Sequence, residues 1–176
     1  TEQQQMMQTL FREVAETVVK DNAADVDEQE RFPKENVEAM RQAKMLGIPY
    51  PREYGGAGAD YLSYILAVEE LAKKCCTTST VLSAHTSLGT WPIAAFGTDE
   101  QKAKYLTDLC TGKKIAAFGL TEPNAGTDAA GQQTTAVLDG DYYILNGTKI
   151  FITNAGEADV YIIFAMTDKT KGNHGI

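Results

Sequence analysis

The chain has 176 residues, of which 43% are hydrophobic and 23% are charged, as is ordinary for a soluble globular protein. Its formal net charge of −8 argues against a nucleic-acid-binding protein, which normally presents a basic face to the phosphates. No apolar run is long enough to span a bilayer, and the first residues show no secretory signal. From the charge we expect no nucleic acid as a partner, and from the apolar runs we expect no membrane.

Helical spacing of apolar residues predicts a largely helical N-terminal part. The first helix is expected over residues 2–20, and the acidic stretch 21–30 is expected to be a solvated connector. Pro33 is expected to open a second helix that Gly47 closes, since proline is tolerated at the first helical position and glycine favours the end. Prolines and glycines then predict an irregular segment over residues 48–58.

The next helices begin at recognisable start signals. Asp60 is a candidate cap for a third helix. A fourth helix is predicted over residues 79–96, where Pro92 kinks or restarts it. The sequence TDEQ at residues 98–101 is a capping box, in which the two outer side chains satisfy each other's free N–H groups. The helix behind it is expected to end near Gly112.

The rest of the chain contains short β-type runs and predicts a sheet. The runs cover residues 115–120, 134–138, 142–145, 148–153 and 160–166. The sequence DGD between the second and third runs is a hairpin turn signal. The last run is almost wholly apolar and is therefore expected to be buried on both faces. No closing element follows it, so we expect the sheet to continue beyond residue 176, because its edge would otherwise stay unpaired.

The most informative segment is LTEPNAGTDAAG at residues 120–131, where a strand breaks into a loop of small and polar residues. Gly126 allows a close approach of the backbone to a ligand, and the hydroxyls of Thr121 and Thr127 can donate or accept hydrogen bonds. Free N–H groups in such a loop can bind a phosphate. Glu122 is expected to support the loop through nearby N–H groups. A plain polar connection between two strands is the alternative that the residues alone leave open.

The cysteines and histidines do not form a recognisable site. The three cysteines, Cys75, Cys76 and Cys110, fit neither a disulfide framework nor a zinc spacing, so a reducing compartment is expected. His85 and His174 supply neither a nucleophilic triad nor a metal cluster. We therefore predict no bound metal.

Residues 120–128, followed by Gly131, resemble the flavin-binding signature of the acyl-CoA dehydrogenase family. A second segment, NGTKIFITNAG at residues 146–156, resembles the next flavin-contacting strand of that family. Other segments agree in the same order, and the similarity is greatest to bacterial short-chain (butyryl-CoA) dehydrogenases. These further segments are residues 53–58, 62–72, 96–102 and 164–169.

The resemblance implies an α+β fold. The family has an N-terminal helical domain, a middle β-barrel domain and a C-terminal four-helix bundle. Residues 1–113 would be the all-α helical domain, and residues 114–176 would be the first strands of the flavin-binding β-barrel domain. The four-helix bundle has no counterpart in this chain.

The resemblance also implies a non-covalent FAD between two walls. The first wall would come from residues 118–121 and the second from residues 151–153, with the Thr153 hydroxyl near flavin N5. The family often has tryptophan where this chain has Phe151, so an aromatic shield is kept and an indole N–H is lost. Packing in a barrel core is the alternative role of the two phenylalanines. By position, the expected cofactor contacts are Phe118, Leu120, Thr121, Gly126, Thr127, Phe151, Ile152 and Thr153.

Three residues are implied to contact the substrate. Thr127 would reach the FAD pyrophosphate or the CoA portion, and Ala84 and Leu88 are candidates for the acyl pocket, with helical packing as the alternative of equal weight. The family's catalytic base is a glutamate in or beside the C-terminal helical domain, and no matching motif occurs before Ile176. We therefore name no catalytic residue, and we expect this chain alone to lack activity and to bind FAD weakly or not at all.

The implied reaction is the oxidation of a short-chain acyl-CoA, such as butyryl-CoA, to the trans-2-enoyl-CoA, with electrons passed to electron-transfer flavoprotein. Full-length members are usually tetramers or dimers. The expected location is the cytoplasm, or the mitochondrial matrix in a eukaryote. An acyl-CoA oxidase that uses oxygen and a non-catalytic protein on the same scaffold are the alternatives, because a fold does not fix a function.

Overall fold

The computed structural model describes residues 1–176 and begins with one long helical rod. Helix α1 (Glu2–Val14) continues through a π-helical turn (Ala15–Val19) into α2 (Lys20–Glu28). The prediction of a solvated connector at residues 21–30 was wrong, because the helix runs to Glu28. Val19 and Val26, both on this continuous helix, are buried in the hydrophobic core. Their packing outweighs the weak helix propensity of the aspartates in residues 21–28.

The second predicted helix is shorter than expected. Helix α3 (Lys34–Gln42) follows Pro33, and Lys44 has a left-handed backbone with φ of 56°, which stops the helix. Gly47 therefore does not close it. Glycine is required there for a different reason, since a methyl group at this position would lie 2.5 Å from the carbonyl oxygen of Cys110.

Two predicted helix starts are confirmed. Helix α4 (Tyr61–Ala72) is capped by Asp60, whose carboxylate accepts a hydrogen bond from the Ser63 amide at 2.8 Å. Helix α7 (Asp99–Cys110) starts at the predicted capping box of Thr98 and Gln101. Between them, α5 (Cys76–Ser83), a π-helical segment (Ala84–Thr90) and α6 (Trp91–Phe96) follow one another without a break.

One buried carboxylate joins the first helix to α4. Glu70 is 2% exposed and accepts hydrogen bonds from Gln8, Arg12 and Lys73. The Arg12 guanidinium, together with Lys73 and Gln8, lowers the pKa of Glu70 to about 2 despite its burial. The ion pair of Arg12 on α1 with Glu70 on α4 fixes the register of these two helices beside the main hydrophobic core.

The strands form two separate two-stranded sheets. Strand β1 (Ala116–Gly119) pairs in parallel with β4 (Val160–Ile163), and β2 (Thr135–Asp139) pairs antiparallel with β3 (Tyr142–Asn146). Gly140, with φ of 60°, lies in the predicted hairpin turn. The helical part followed by these first strands confirms the predicted α+β class.

Two strand predictions were wrong. Residues 148–153 form no strand and bend at Phe151, because Phe151 has a left-handed backbone that interrupts an extended run. Strand β4 is not buried on both faces, since Tyr161 and Ile163 are 42% and 37% exposed. None of the helices is both long and apolar enough to cross a membrane.

His85 joins the helical part to β1. The Ala116 amide donates to Nδ1 of His85 at 3.1 Å, so the proton lies on Nε2, which donates to the Leu109 carbonyl at 3.1 Å. Both ring nitrogens are therefore occupied by backbone groups, and complete burial lowers the pKa of His85 from 6.5 to about 4.

This burial predicts a pH-dependent stability. Between about pH 6.5 and pH 4 the unfolded chain binds a proton at His85 and the folded chain does not. The free energy of unfolding should therefore fall by up to about 3 kcal/mol as the pH falls through this window. Urea unfolding of the parent and of His85→Gln at several pH values measures the difference. An equal slope in both proteins between these pH values would contradict the assignment.

Candidate functional site

The first wall of the candidate site is the end of β1 and the residues after it. Phe118 is half-buried and packs against Phe164, with ring centroids 5.1 Å apart. Leu120 and Thr121 leave the strand and are also half-buried. Both backbone carbonyls accept hydrogen bonds. The Lys149 ammonium donates to the Leu120 carbonyl at 2.8 Å, and the Ile150 backbone amide donates to the Thr121 carbonyl at 2.9 Å.

The second wall is a turn with an unusual backbone. Phe151 and Asn154 have φ values of 56° and 69°, a region that bulky side chains rarely adopt. The side-chain amide of Asn154 donates through Nδ2 to the carbonyls of Val81 at 3.3 Å and Ala116 at 3.0 Å. These bonds anchor the turn to α5 and β1. Phe151 is 87% exposed. A strained and exposed aromatic residue held by its surroundings is typical of a ligand contact.

The two walls meet at one cavity of about 180 Å³. It contains both hydroxyl-bearing residues, Thr121 and Thr153, beside two aromatic rings. The lining residues are Ala84, Leu88, Phe118, Leu120, Thr121, Phe151 and Thr153. Flat apolar surface next to hydroxyl donors and acceptors can bind one side of a planar heteroaromatic ring.

Three of the predicted site residues do not line this cavity. Ile152 is half-buried outside it, and Gly126 and Thr127 are exposed on the loop that follows the first wall. A methyl group at Gly126 would meet no atom within 4 Å, so no neighbour within the chain requires glycine at this position. The exposed loop leaves the Thr127 hydroxyl open to solvent.

A larger groove of about 330 Å³ lies between α6, α7 and β4. It is lined by Ile93, Phe96, Tyr105 and Tyr161 among others, and it includes none of the residues of the two flavin-like motifs. Both motifs also border a polar cavity of about 190 Å³ that includes Glu122 and Gly147. We place the candidate site in the cavity of about 180 Å³ because Thr121, Phe151 and Thr153 line it together. The structure has no group of three or more His, Cys, Asp or Glu side chains that could hold a metal ion.

Glu122 supports the loop after the first wall as predicted. Its carboxylate accepts hydrogen bonds from the backbone amides of Gln133 at 2.6 Å and Thr134 at 2.9 Å, and from the Lys149 ammonium at 2.9 Å. Burial acts to raise the pKa of Glu122, but these donors outweigh it and lower the pKa to about 2. The carboxylate is therefore ionised at neutral pH and has no proton to donate.

Sequence reasoning did not single out Lys149 and Asn154. Lys149 is a lysine within the otherwise apolar run TKIFI, and such a residue needs a partner when the run is buried. Asn154 precedes Ala155 and Gly156. Apart from glycine, asparagine is among the residues that most readily adopt a left-handed backbone. Both signals indicate a structural requirement, but neither identifies the partner.

Two family models match successive parts of the chain. Residues 1–113 match the family model described as acyl-CoA dehydrogenase, N-terminal domain, and residues 117–176 match the middle domain of the same family. The short-chain specific acyl-CoA dehydrogenase of Clostridium acetobutylicum is 61% identical over 176 residues, which are 100% of this chain and 46% of that protein.

Solved structures agree with the sequence comparison. Butyryl-CoA dehydrogenase from Megasphaera elsdenii is 49% identical with a TM-score of 0.94, covering 99% of this chain and 46% of that one. A chain in a structure described as the electron transferring flavoprotein of Acidaminococcus fermentans is 54% identical with a TM-score of 0.96, again covering 99% and 46%. This chain thus spans about half the length of the proteins it matches.

Proposed function

Since this chain belongs to the acyl-CoA dehydrogenase family, we propose that it provides one side of the FAD site of an enzyme that oxidises a short-chain acyl-CoA to the trans-2-enoyl-CoA. Residues 1–113 act as the helical domain and residues 114–176 as the first part of the flavin-binding domain. The observation that carries the proposal is the single cavity shared by Thr121 and Thr153.

The lining of this cavity fits part of a flavin. Phe118 and Phe151 line the cavity with Thr121 and Thr153; the two phenylalanines would cover the ring and exclude water, and the two hydroxyls would bond to its polar edge, Thr153 near N5. Ligand pockets usually measure about 300–1,000 Å³, so a cavity of about 180 Å³ encloses part of the cofactor only. When bound, FAD supplies the acceptor for the hydride that leaves the acyl chain.

The substrate is assigned from the same cavity and from the relatives. Ala84 and Leu88 contribute its apolar lining from the π-helical segment, and we assign them to the acyl chain. Thr127 and Gly126, on the exposed loop, are assigned to the FAD pyrophosphate or the CoA portion, and Ile152 supports the second wall. A short acyl chain is supported by the short-chain specific and butyryl-CoA relatives.

The electron acceptor is proposed to be electron-transfer flavoprotein. This assignment is supported by the similarity to the chain described with the Acidaminococcus fermentans flavoprotein. Passage of electrons to another protein, and not to oxygen, separates a dehydrogenase from an oxidase.

A fusion enzyme tests the proposal. In it, this chain replaces the matching residues of the Clostridium acetobutylicum relative, of which it covers 46%. We expect the purified fusion enzyme to hold about one FAD per chain and to oxidise butyryl-CoA with electron-transfer flavoprotein as acceptor. The unaltered relative is the control. A folded fusion enzyme without bound flavin would contradict the proposal, and fast reoxidation by oxygen would favour the oxidase.

A further inference from the structure

A buried ion pair lies behind the candidate flavin site. The Lys149 ammonium is 2.9 Å from Oε1 of Glu122, and the two side chains are only 10% and 7% exposed. In each of the other ion pairs, at least one side chain is more exposed than both of these. Neither Glu122 nor Lys149 lines the cavity between the two walls. The pair therefore lies outside the lining of that cavity, and Glu122 borders a separate polar cavity of about 190 Å³.

Every hydrogen of the Lys149 ammonium is used. It donates to the Leu120 carbonyl at 2.8 Å, to Glu122 at 2.9 Å and to Oε1 of Gln132 at 3.0 Å, which is the full capacity of three donors. Glu122 in turn accepts the amides of Gln133 and Thr134. A buried pair with its hydrogen bonds satisfied in this way fixes geometry, because each partner is costly to leave unpaired.

The pair connects the two walls directly. Leu120, whose carbonyl accepts from Lys149, lines the cavity, and the next residue after Lys149, Ile150, donates its amide to the Thr121 carbonyl at 2.9 Å. Phe151 and Thr153 follow one and three residues after Ile150 and line the opposite side of the cavity. A shift of Lys149 would thus move both sides of the cavity relative to each other.

We propose that Glu122 and Lys149 are positioning residues that set the spacing of the two walls and thereby the affinity of the site for flavin. The inference rests on the proposed FAD site. An ion pair that serves stability alone would leave flavin affinity unchanged once the protein is folded, and this difference can be measured.

The test uses Glu122→Gln, Lys149→Met and the double variant. The double variant contains no unpaired buried charge, so it is expected to fold. Lys114→Met is the matched control, because Lys114 forms an ion pair with Asp108 at a similar distance of 2.9 Å while it is 39% exposed. Hydrogen exchange of the Ile150 amide is measured in the 176-residue chain, relative to amides of α4, and FAD affinity is measured in the fusion enzyme.

We expect the double variant to lose protection at Ile150 and to bind FAD at least about tenfold more weakly, since small displacements of a site's walls weaken it strongly. The control should behave like the parent. Parent-like FAD affinity or parent-like Ile150 protection in the double variant would overturn the inference. If the parent fusion enzyme takes up no FAD, the proposed function fails, and the Ile150 amide still decides whether the pair sets the spacing of the walls.

Discussion

Replacing Asn154 with alanine should lower the free energy of unfolding by about 2–4 kcal/mol. The buried Ala116 carbonyl loses its side-chain donor, the Val81 carbonyl keeps only its backbone donor from Ala84, and a left-handed backbone loses its favoured residue. The carbonyls belong to Val81 in the helical part and Ala116 in β1. Asn154 is therefore a clamp between the helices, the first wall and the second wall. Urea unfolding followed by circular dichroism measures the loss.

Two further variants separate the causes of this loss. Asn154→Gly removes the amide but tolerates the φ of 69°, so it should be less destabilising than alanine by about 1 kcal/mol. Asn154→Asp keeps the shape and replaces the donor with a charge facing two carbonyl oxygens, so its loss should be at least as large as that of alanine. If Asn154→Ala and the parent have the same free energy of unfolding, the hydrogen bonds of Asn154 contribute little to stability.

Replacing Thr153 with valine should slow flavin reduction in the fusion enzyme by about 10- to 100-fold, because it removes a hydroxyl at the reacting edge while keeping the shape of the side chain. Thr153 lines the same cavity as Thr121 and Phe151, and the proposed function assigns its hydroxyl to the edge of the flavin. Stopped-flow absorbance after mixing with butyryl-CoA measures the rate.

The control for this experiment is Thr107→Val. Thr107 is exposed on α7, away from the cavity, so the same chemical change there should leave the rate unaltered. Equal rates for Thr153→Val and the parent would remove the Thr153 hydroxyl from the site. A similar fall in both variants would indicate a general loss of folding.

Local signals predicted the helix starts well. Asp60 and the capping box at Thr98 satisfy amides within the next three residues, so the information lies in one short stretch of sequence. The helix over residues 20–28 could not be predicted in this way. Its three aspartates disfavour a helix, and its stability comes from burying Val26 against residues that are distant in the chain.

The failed strand at residues 148–153 has a related cause. The run TKIFIT has the composition of a strand, but its backbone follows contacts that composition does not reveal. Lys149 bonds to Glu122, 27 residues earlier, and Asn154 bonds to Val81, 73 residues earlier. These contacts impose turns on residues that would otherwise extend.

The candidate site was predictable in part. The motif resemblance identified Phe118, Thr121, Phe151 and Thr153, which line one cavity. It could not identify Lys149 as a link between the walls, because that role depends on Gln132 and the Leu120 carbonyl, which only the fold brings together. The resemblance predicts which residues would face a ligand, and the structure adds what holds them in place.

The central claim is that the segments containing Thr121 and Thr153 form one side of a flavin bed. A crystal structure of the fusion enzyme with FAD tests it most directly. We predict that the isoalloxazine ring lies against Phe118 and Phe151, with both threonine hydroxyls within hydrogen-bond distance of its polar edge. A ring bound elsewhere, for example in the larger groove between α6, α7 and β4, would contradict the account.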